Sequence, residues 1–221
     1  MFDAIAHRYD LLNHMLSGGA DFYWRRKAVA SLRDLRPRRI LDVATGTADF
    51  AIAALRLKPA EVIGVDIAEN MLAIGRAKIQ RMGTGDVIRL RTGEAEHLEF
   101  GDNVFDAAMV AFGARNFEHL HQGLREMQRV LRPGGRIVVL EFSQPAAFPL
   151  RQLYLFYFRR ILPLLGRSIS KDRNAYTYLP DTVMKFPQGE EFLAILKEAG
   201  IRSPRQHRLT FGIATIYTGE K

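Results

Sequence analysis

Two aspartates in short apolar runs are the first candidates for chemistry in this sequence. Asp42 lies in the run R-I-L-D-V, and the small residues from Ala44 to Ala48 follow almost at once. A second run, Val62 to Val65, ends in Asp66, twenty residues after Gly46. A carboxylate at the end of the second strand of a βαβ unit is placed to accept hydrogen bonds from ribose hydroxyls. We therefore expect Asp66 to hold the ribose of a nucleotide-like ligand.

The loop after the first run indicates which ligand this is. A strand, a turn of small residues and a helix bring a nucleotide close to backbone N–H groups. A dinucleotide loop needs G-x-G-x-x-G, whereas this loop has Ala44, Gly46 and Ala48 at alternate positions. Asp42 and Asp49 would repel a pyrophosphate but suit a ligand with an ammonium and a sulfonium. The pattern favours S-adenosylmethionine, with NAD as the alternative.

A third apolar run, from Val87 to Leu90, leads into the acidic sequence G-E-A-E. Glu94 and the backbone around Ala95 could hold the amino group or ring edge of an adenine there. A solvated acidic turn is the alternative explanation of the same residues.

Arg115 and Asn116 follow a fourth strand that passes through Val110 and Ala111. The carboxyl ends of central strands are the usual place for chemistry in open α/β sheets, so both residues are candidates for the reaction. His119 and His121 lie nearby on a predicted helix, but residues two apart do not face each other there. We expect no metal site.

The composition limits the class of protein. A chain of 221 residues is long enough for one α/β domain. It contains no cysteine, which excludes disulfides and thiolate metal sites. Its N-terminus lacks the uninterrupted apolar stretch of a signal peptide, so we expect a cytoplasmic protein.

The net charge of +8 is compatible with binding to nucleic acid, with binding to an anionic membrane, or with solvated arginines. Basic and aromatic residues alternate only in segment 148–167, which is too apolar for an RNA-binding surface. We therefore expect no nucleic-acid partner. Arg151, Arg159 and Arg160 interrupt this segment, so it does not span a bilayer. It either packs as an extra core helix or forms a cap on the inner face of the membrane.

The remaining predicted elements surround this centre. Helices at 2–16 and 22–35 precede the nucleotide fold and are placed to cover it. A tight turn at 132–135 leads into a buried strand. A helix at 189–199 follows the insertion, and a terminal antiparallel pair lies within 206–218.

Taken together, the motifs resemble the class I S-adenosylmethionine-dependent C-methyltransferases of menaquinone and ubiquinone synthesis, over essentially the whole chain. The resemblance implies a Rossmann-like α/β fold, with a mostly parallel seven-stranded sheet and a C-terminal antiparallel strand. It implies one domain, 1–221, with N-terminal lid helices at 1–36 and a helical cap insertion at 145–188. The matching motifs are F-D-x-I-A-x-x-Y-D-x-L-N at 2–13, L-D-V-A-T-G-T at 41–47, V-D-I at 65–67, A-F-G-x-R-N-F at 111–117, V-L-R-P-G-G-R at 130–136, V-L-E-F-S at 139–143 and Y-x-Y-L-P at 176–180.

By this resemblance, Thr47, Asp66, Glu94 and Ala95 contact the cofactor, beside Asp42 and Gly46 of the loop. The family usually has G-T-G-D where this chain has Gly46-Thr47-Ala48-Asp49, and an aspartate where it has Glu94. We expect the extra methyl group of Ala48 to lie near the methionine end of the cofactor.

The implied substrate is a lipophilic polyprenyl quinol, whose ring carbon attacks the methyl group once a phenolic oxygen loses its proton. Demethylmenaquinol is the first candidate, and a 2-methoxy-6-polyprenyl-1,4-benzoquinol is the alternative. An RNA or small-molecule methyltransferase, and a non-enzymatic membrane-binding protein, remain further alternatives, and a homodimer is an open possibility. The expected reaction residues are Arg115, which would stabilise the quinolate, Asn116, and His7 as proton acceptor; the expected substrate contacts are Tyr9, Phe112 and Tyr178.

Overall fold

The computed structural model describes residues 19–145, 147–156 and 182–221, over which strands and helices alternate. The predicted helix at 2–16 and residues 157–181 of the predicted insertion lie outside the described residues. The strands are β1 (Arg39–Val43), β2 (Glu61–Asp66), β3 (Ile88–Thr92), β4 (Phe105–Ala111), β5 (Leu131–Phe142), β6 (Arg202–Leu209) and β7 (Ala214–Glu220). The helices are α1 (Ala20–Ala30), α2 (Asp49–Ala54), α3 (Glu69–Arg81), α4 (Leu120–Val130), α5 (Leu150–Phe156) and α6 (Glu190–Glu198), with 3₁₀ turns at Leu55–Leu57, Ala114–Asn116 and Thr210–Gly212.

The seven strands form one sheet in the order β3-β2-β1-β4-β5-β7-β6. The pairs from β3 to β5 are parallel, and β7 is antiparallel to both β5 and β6. The predicted α/β fold and the terminal antiparallel pair are therefore confirmed. The strand order reverses between β1 and β4, and such a reversal opens a crevice at the carboxyl ends of the strands.

Alternating residues of the central strands supply two cores, one on each face of the sheet. Ile40 of β1 belongs to the core that includes Trp24 of α1, Phe50 of α2 and Ile79 of α3. Leu41 belongs to the opposite core, together with residues of α4 and α6. Because helices cover both faces, the central strands are apolar nearly throughout, as the sequence indicated.

Two predicted boundaries differ from the structure. Helix α1 ends at Ala30 rather than near residue 35, and turns follow it. The predicted turn at 132–135 lies within β5, where pairing jumps from Phe105–Leu131 to Ala107–Arg136. Glycine permits this irregularity, since Gly134 has a φ of 77°.

The loop after β1 adopts left-handed backbone conformations at alternate residues. The φ angles of Ala44, Gly46 and Ala48 are 53°, 55° and 70°. Ala48 is fully buried, and its Cβ lies 3.3 Å from where a Cβ on Gly75 of α3 would stand. The expectation that the Ala48 methyl group lies near the cofactor is therefore wrong. The methyl group packs against α3, where a glycine leaves room for it.

This close approach makes Gly75 sensitive to substitution. A Cβ there would lie 3.2 Å from the Thr47 backbone carbon and 2.8 Å from a Leu90 methyl group. Overpacking costs about 1–3 kcal/mol, which exceeds the roughly 1 kcal/mol that alanine gains over glycine in a helix. We expect Gly75→Ala to lower the free energy of unfolding in urea. Gly85→Ala is the control, since nothing lies within 4 Å of its Cβ position; equal stability of the two variants would contradict the prediction.

Candidate active site

A cavity of about 380 Å³ lies beyond the carboxyl ends of β1, β2 and β4. This volume is in the usual range for a small-molecule site, and the position is the crevice at the reversal of strand order. The lining residues come from α1 and from the segments that follow the first four strands. They are Arg25, Asp42, Ala44, Thr45, Gly46, Thr47, Asp49, Phe50, Asp66, Ile67, Met71, Gly93, Glu94, Ala95, Glu96, Ala111, Phe112, Gly113, Asn116, Phe117, Glu118 and His119.

Most of the residues that the sequence singled out meet in this cavity. The structure brings together all six expected cofactor residues, which are Asp42, Gly46, Thr47, Asp66, Glu94 and Ala95, and adds Phe112 and Asn116. Of the other expected residues, Arg115 is described but does not line the cavity, and His7, Tyr9 and Tyr178 lie outside the described residues.

Asp66 joins the loop after β1 to the end of β2. Its Oδ2 accepts a hydrogen bond from the Gly46 N–H at 2.8 Å, and its Oδ1 accepts one from the Ala68 N–H at 2.9 Å. An ionised carboxylate has about four acceptor positions, so two backbone hydrogen bonds do not by themselves exclude a ligand. The predicted contact between Asp66 and a ribose therefore remains compatible with its structural role, and it stays a prediction.

Lys78 of α3 fixes the other side of the loop. Its Nζ donates to Thr47 Oγ1 and to Asp49 Oδ1, each at 2.8 Å. The ammonium thereby offsets the charge of Asp49, which the sequence had grouped with Asp42 as a source of negative potential. The negative potential expected from this loop therefore depends mainly on Asp42.

Asp42 is a buried carboxyl group, with only 1% of the residue exposed. Its Oδ2 accepts a hydrogen bond from the Thr45 hydroxyl at 2.6 Å. Its Oδ1 is buried and has no hydrogen-bond partner among the described residues. Burial raises the pKa of Asp42 to about 7, against the opposing effects of the Thr45 hydrogen bond and the Arg25 guanidinium.

Arg115 lies in the 3₁₀ turn just past the carboxyl end of β4, as the sequence predicted. Its guanidinium lies 2.6 Å from Glu141, and the two side chains are 3% and 1% exposed. It also donates to the carbonyl oxygen of Phe112 at 2.6 Å. A carboxylate buried as deeply as Glu141 requires a counter-charge, and Arg115 supplies it. The Arg115 side chain is therefore held at Glu141 and does not line the cavity. Its role in the reaction stays a prediction.

Several cavity residues were not found from the sequence. Arg25 comes from a helix that precedes the first strand, and no spacing links it to the loop. Met71 and Phe117 read as ordinary helical or loop residues in the sequence. Ile67 follows Asp66 in the V-D-I motif, and its position directly after the end of a strand is the sequence signal that could have placed it at the site.

The donor set fits an adenosine that carries an amino acid. Asp66 offers a carboxylate to hydroxyl groups, Glu94 and Ala95 offer acceptor and backbone groups to an adenine, and the buried Asp42 oxygen offers an acceptor to an ammonium. Together with the strand order and the antiparallel β7, this site defines a class I S-adenosylmethionine-dependent methyltransferase.

Comparisons with known proteins agree with this class and give the family. An S-adenosylmethionine-dependent methyltransferase from Thermotoga maritima superposes with a TM-score of 0.68 at 21% identity, over 100% of this chain and 98% of that one. The sequence profile of the ubiE/COQ5 methyltransferase family matches residues 1–221. The chain belongs to this family, and its methyl donor is S-adenosylmethionine.

Two curated relatives cover the whole chain. A demethylmenaquinone methyltransferase from Bacteroides fragilis is 49% identical over 222 residues, which are 100% of this chain and 91% of the relative. A ubiquinone/menaquinone biosynthesis C-methyltransferase UbiE from Geobacter sulfurreducens is 48% identical over 223 residues, which are 100% of this chain and 87% of the relative.

The pKa of Asp42 predicts a pH dependence of cofactor binding. Below about pH 7 the buried carboxyl is protonated and cannot attract an ammonium, so affinity falls as the pH drops through that value. The α-amino group of the ligand stays mostly charged at these pH values, because the pKa of an α-amino group is about 7.7–8.0. We expect calorimetry to show about tenfold tighter binding of S-adenosylmethionine at pH 7.5 than at pH 6.

Asp42→Asn should bind weakly at both pH values and lose this dependence. Glu118→Gln, which removes an exposed carboxylate from the cavity rim, is the matched control and should retain it. An unchanged pH profile in Asp42→Asn would show that another group is responsible.

Proposed function

We propose that this protein methylates a ring carbon of a polyprenylated quinol, with demethylmenaquinol as acceptor and menaquinol as product. The observation that carries the proposal is the full-length similarity, at 49% identity, to a relative named demethylmenaquinone methyltransferase. A second acceptor, 2-methoxy-6-polyprenyl-1,4-benzoquinol, is a candidate because a relative at 48% identity is named for both quinone pathways.

When bound, S-adenosylmethionine supplies a methyl group on a positively charged sulfur. The protein must hold the quinol ring against that methyl group, exclude water, and favour loss of the phenolic proton. Phe112 and Asn116 line the cavity and are the described residues that we assign to the acceptor side. His7 is our candidate for the proton acceptor, because its ordinary pKa lies near neutrality.

Aromatic packing holds Phe112 in place for this role. Its φ of 58° is unusual for a bulky residue. Its ring lies 4.5 Å from the ring of Phe142 and 6.1 Å from that of Trp24, measured between centroids. Trp24 in turn donates to the Thr210 hydroxyl at 2.7 Å. This packing supports a rigid wall at the cavity, which orientation of the acceptor requires.

We further propose that the protein contacts an anionic membrane surface through α5 and the residues beside it. Tyr154 is 7% exposed and packs on the core, whereas Phe148 and Phe156 are 81% and 59% exposed. Arg151 is also exposed, and an arginine among exposed aromatic residues suits a lipid interface. In the described residues, no helix combines the length and apolar character needed to cross a membrane.

Methyl transfer from labelled S-adenosylmethionine tests the function. We expect the purified protein to label demethylmenaquinol in lipid vesicles, faster in anionic than in zwitterionic vesicles at low salt, because salt screens the attraction of arginines to lipid phosphates. The benzoquinol and RNA serve as alternative acceptors in parallel reactions. Labelling of RNA, or of neither quinol, would contradict the proposed acceptor, and equal rates in both vesicles would contradict the membrane contact.

The Arg115–Glu141 pair gives a separate prediction about the reaction. The opposite charges of Arg115 and Glu141 neutralise each other, and the backbone N–H of Arg115 also donates to Glu141 at 3.3 Å. We therefore propose that this ion pair stabilises the turn that carries Asn116. Removing one partner would leave a buried charge, at a cost of about 3–5 kcal/mol. The double variant Arg115→Met/Glu141→Gln avoids this cost. We expect it to lower kcat while the Kd of S-adenosylmethionine stays within about twofold.

The pH–rate profile separates bracing from direct charge stabilisation. If the pair only braces the turn, the alkaline-rising limb of the profile stays in place in the double variant. A cation beside the quinol oxygen would lower the pKa of the quinol by about one to three units, so loss of that cation would move the limb to higher pH. Such a movement would favour the role first expected for Arg115. Arg39→Met/Glu61→Gln removes an ion pair at the opposite end of β1 and β2 and should leave kcat unchanged.

A further inference from the structure

Arg25 is a buried cation at the cavity for which the proposed reaction has no use. It belongs to α1, is 9% exposed, and lines the cavity. Its Nη1 pairs with Asp21 of the same helix, and its guanidinium carbon lies 5.3 Å from the centre of the Phe112 ring. Its Nε is buried and has no hydrogen-bond partner among the described residues. The side chain is therefore held in place while one of its donors remains unused.

Asp42 lines the same cavity and has an unused acceptor where Arg25 has an unused donor. Its Oδ2 is held by the Thr45 hydroxyl, and its Oδ1 is buried with no partner among the described residues. The positive charge of Arg25 lowers the pKa of Asp42, so the two groups interact electrostatically. They nevertheless form no ion pair with each other in the described part of the chain.

Two unsatisfied buried polar atoms of opposite character are unfavourable, because each lost hydrogen bond costs about 1–3 kcal/mol. A ligand with a carboxylate and an ammonium on one carbon would satisfy both atoms at once. Arginine suits the carboxylate better than lysine would, because the edge formed by its Nε and Nη2 can donate two parallel hydrogen bonds. With Nη1 committed to Asp21, Nε and Nη2 are the donors that remain for a ligand.

We propose that Arg25 and Asp42 together bind the α-amino-acid end of S-adenosylmethionine, with Arg25 on the carboxylate and Asp42 on the ammonium. The inference rests on the methyl donor and not on the acceptor. It gives α1 a direct part in cofactor binding, although this helix precedes the nucleotide fold in the sequence.

Binding calorimetry with three ligands tests the two assignments separately. S-adenosylmethionine carries both groups, its decarboxylated analogue keeps only the ammonium, and 5′-methylthioadenosine has neither. We expect Arg25→Gln to weaken S-adenosylmethionine about tenfold to a hundredfold and to leave the other two within about twofold. Asp42→Asn should weaken both amine-bearing ligands and spare 5′-methylthioadenosine. Arg26→Gln, the exposed neighbour on α1, is the matched control and should change none of them.

Loss of Arg25 leaves the buried Asp21 without its cation, so the variant could unfold α1. Asp21→Asn/Arg25→Gln removes both charges and should show the same ligand selectivity in a folded protein. Equal weakening of all three ligands in this double variant would mean that Arg25 is only structural. Unchanged affinity for S-adenosylmethionine, with a raised KM for the quinol, would assign Arg25 to the acceptor instead. Both results would overturn the proposal. The ligand affinities that decide it do not depend on whether demethylmenaquinol is the acceptor, since the calorimetry contains none.

Discussion

The hydrogen bonds between the Asp66 carboxylate and backbone N–H groups organise this structure. One carboxylate oxygen holds Gly46 after β1, and the other holds Ala68 before α3. The adjacent Thr45 N–H donates to the carbonyl oxygen of Val65 at 3.0 Å, which strengthens the same junction. The ends of two strands and the beginning of a helix are thereby fixed relative to one another. A loop with three left-handed residues persists because these bonds and its packing against α3 offset the strain.

Charge pairing separates the scaffold from the binding surface. Lys78 neutralises Asp49, and Arg115 neutralises Glu141, so these buried or half-buried charges stabilise the loop and the turn beside the cavity. Arg25 and Asp42 each retain an unsatisfied polar atom at the cavity. A ligand in the cavity can complete the hydrogen bonding of such atoms, so an unsatisfied atom indicates a binding surface when its residue also lines the cavity.

The aromatic cluster around Phe112 links the terminal parts of the chain to this surface. Trp24 comes from α1, Phe142 ends β5, and Thr210 precedes β7, yet all of them support one residue of the cavity wall. Segments that are far apart in sequence therefore determine the position of Phe112. Such contacts hold α1 against the sheet and explain why Arg25 of this helix lines the cavity, although the sequence predicted only a covering helix.

The sequence alone predicted the α/β sheet, its terminal antiparallel pair and most of the residues that meet in the cavity. The apolar runs that end at Val43, Asp66 and Ala111 are recognised from neighbouring residues alone, so the strands could be predicted from the local sequence. The partners of buried charges depend on residues distant in the chain, and only the tertiary structure decided them. It turned Arg115 toward Glu141, turned the Ala48 methyl group toward Gly75, and brought Arg25 to the cavity. The physical reason is that a buried charge must lie beside a counter-charge, and a buried methyl group must lie where packing leaves space. Both depend on residues that are distant in the chain, so the local sequence does not predict them.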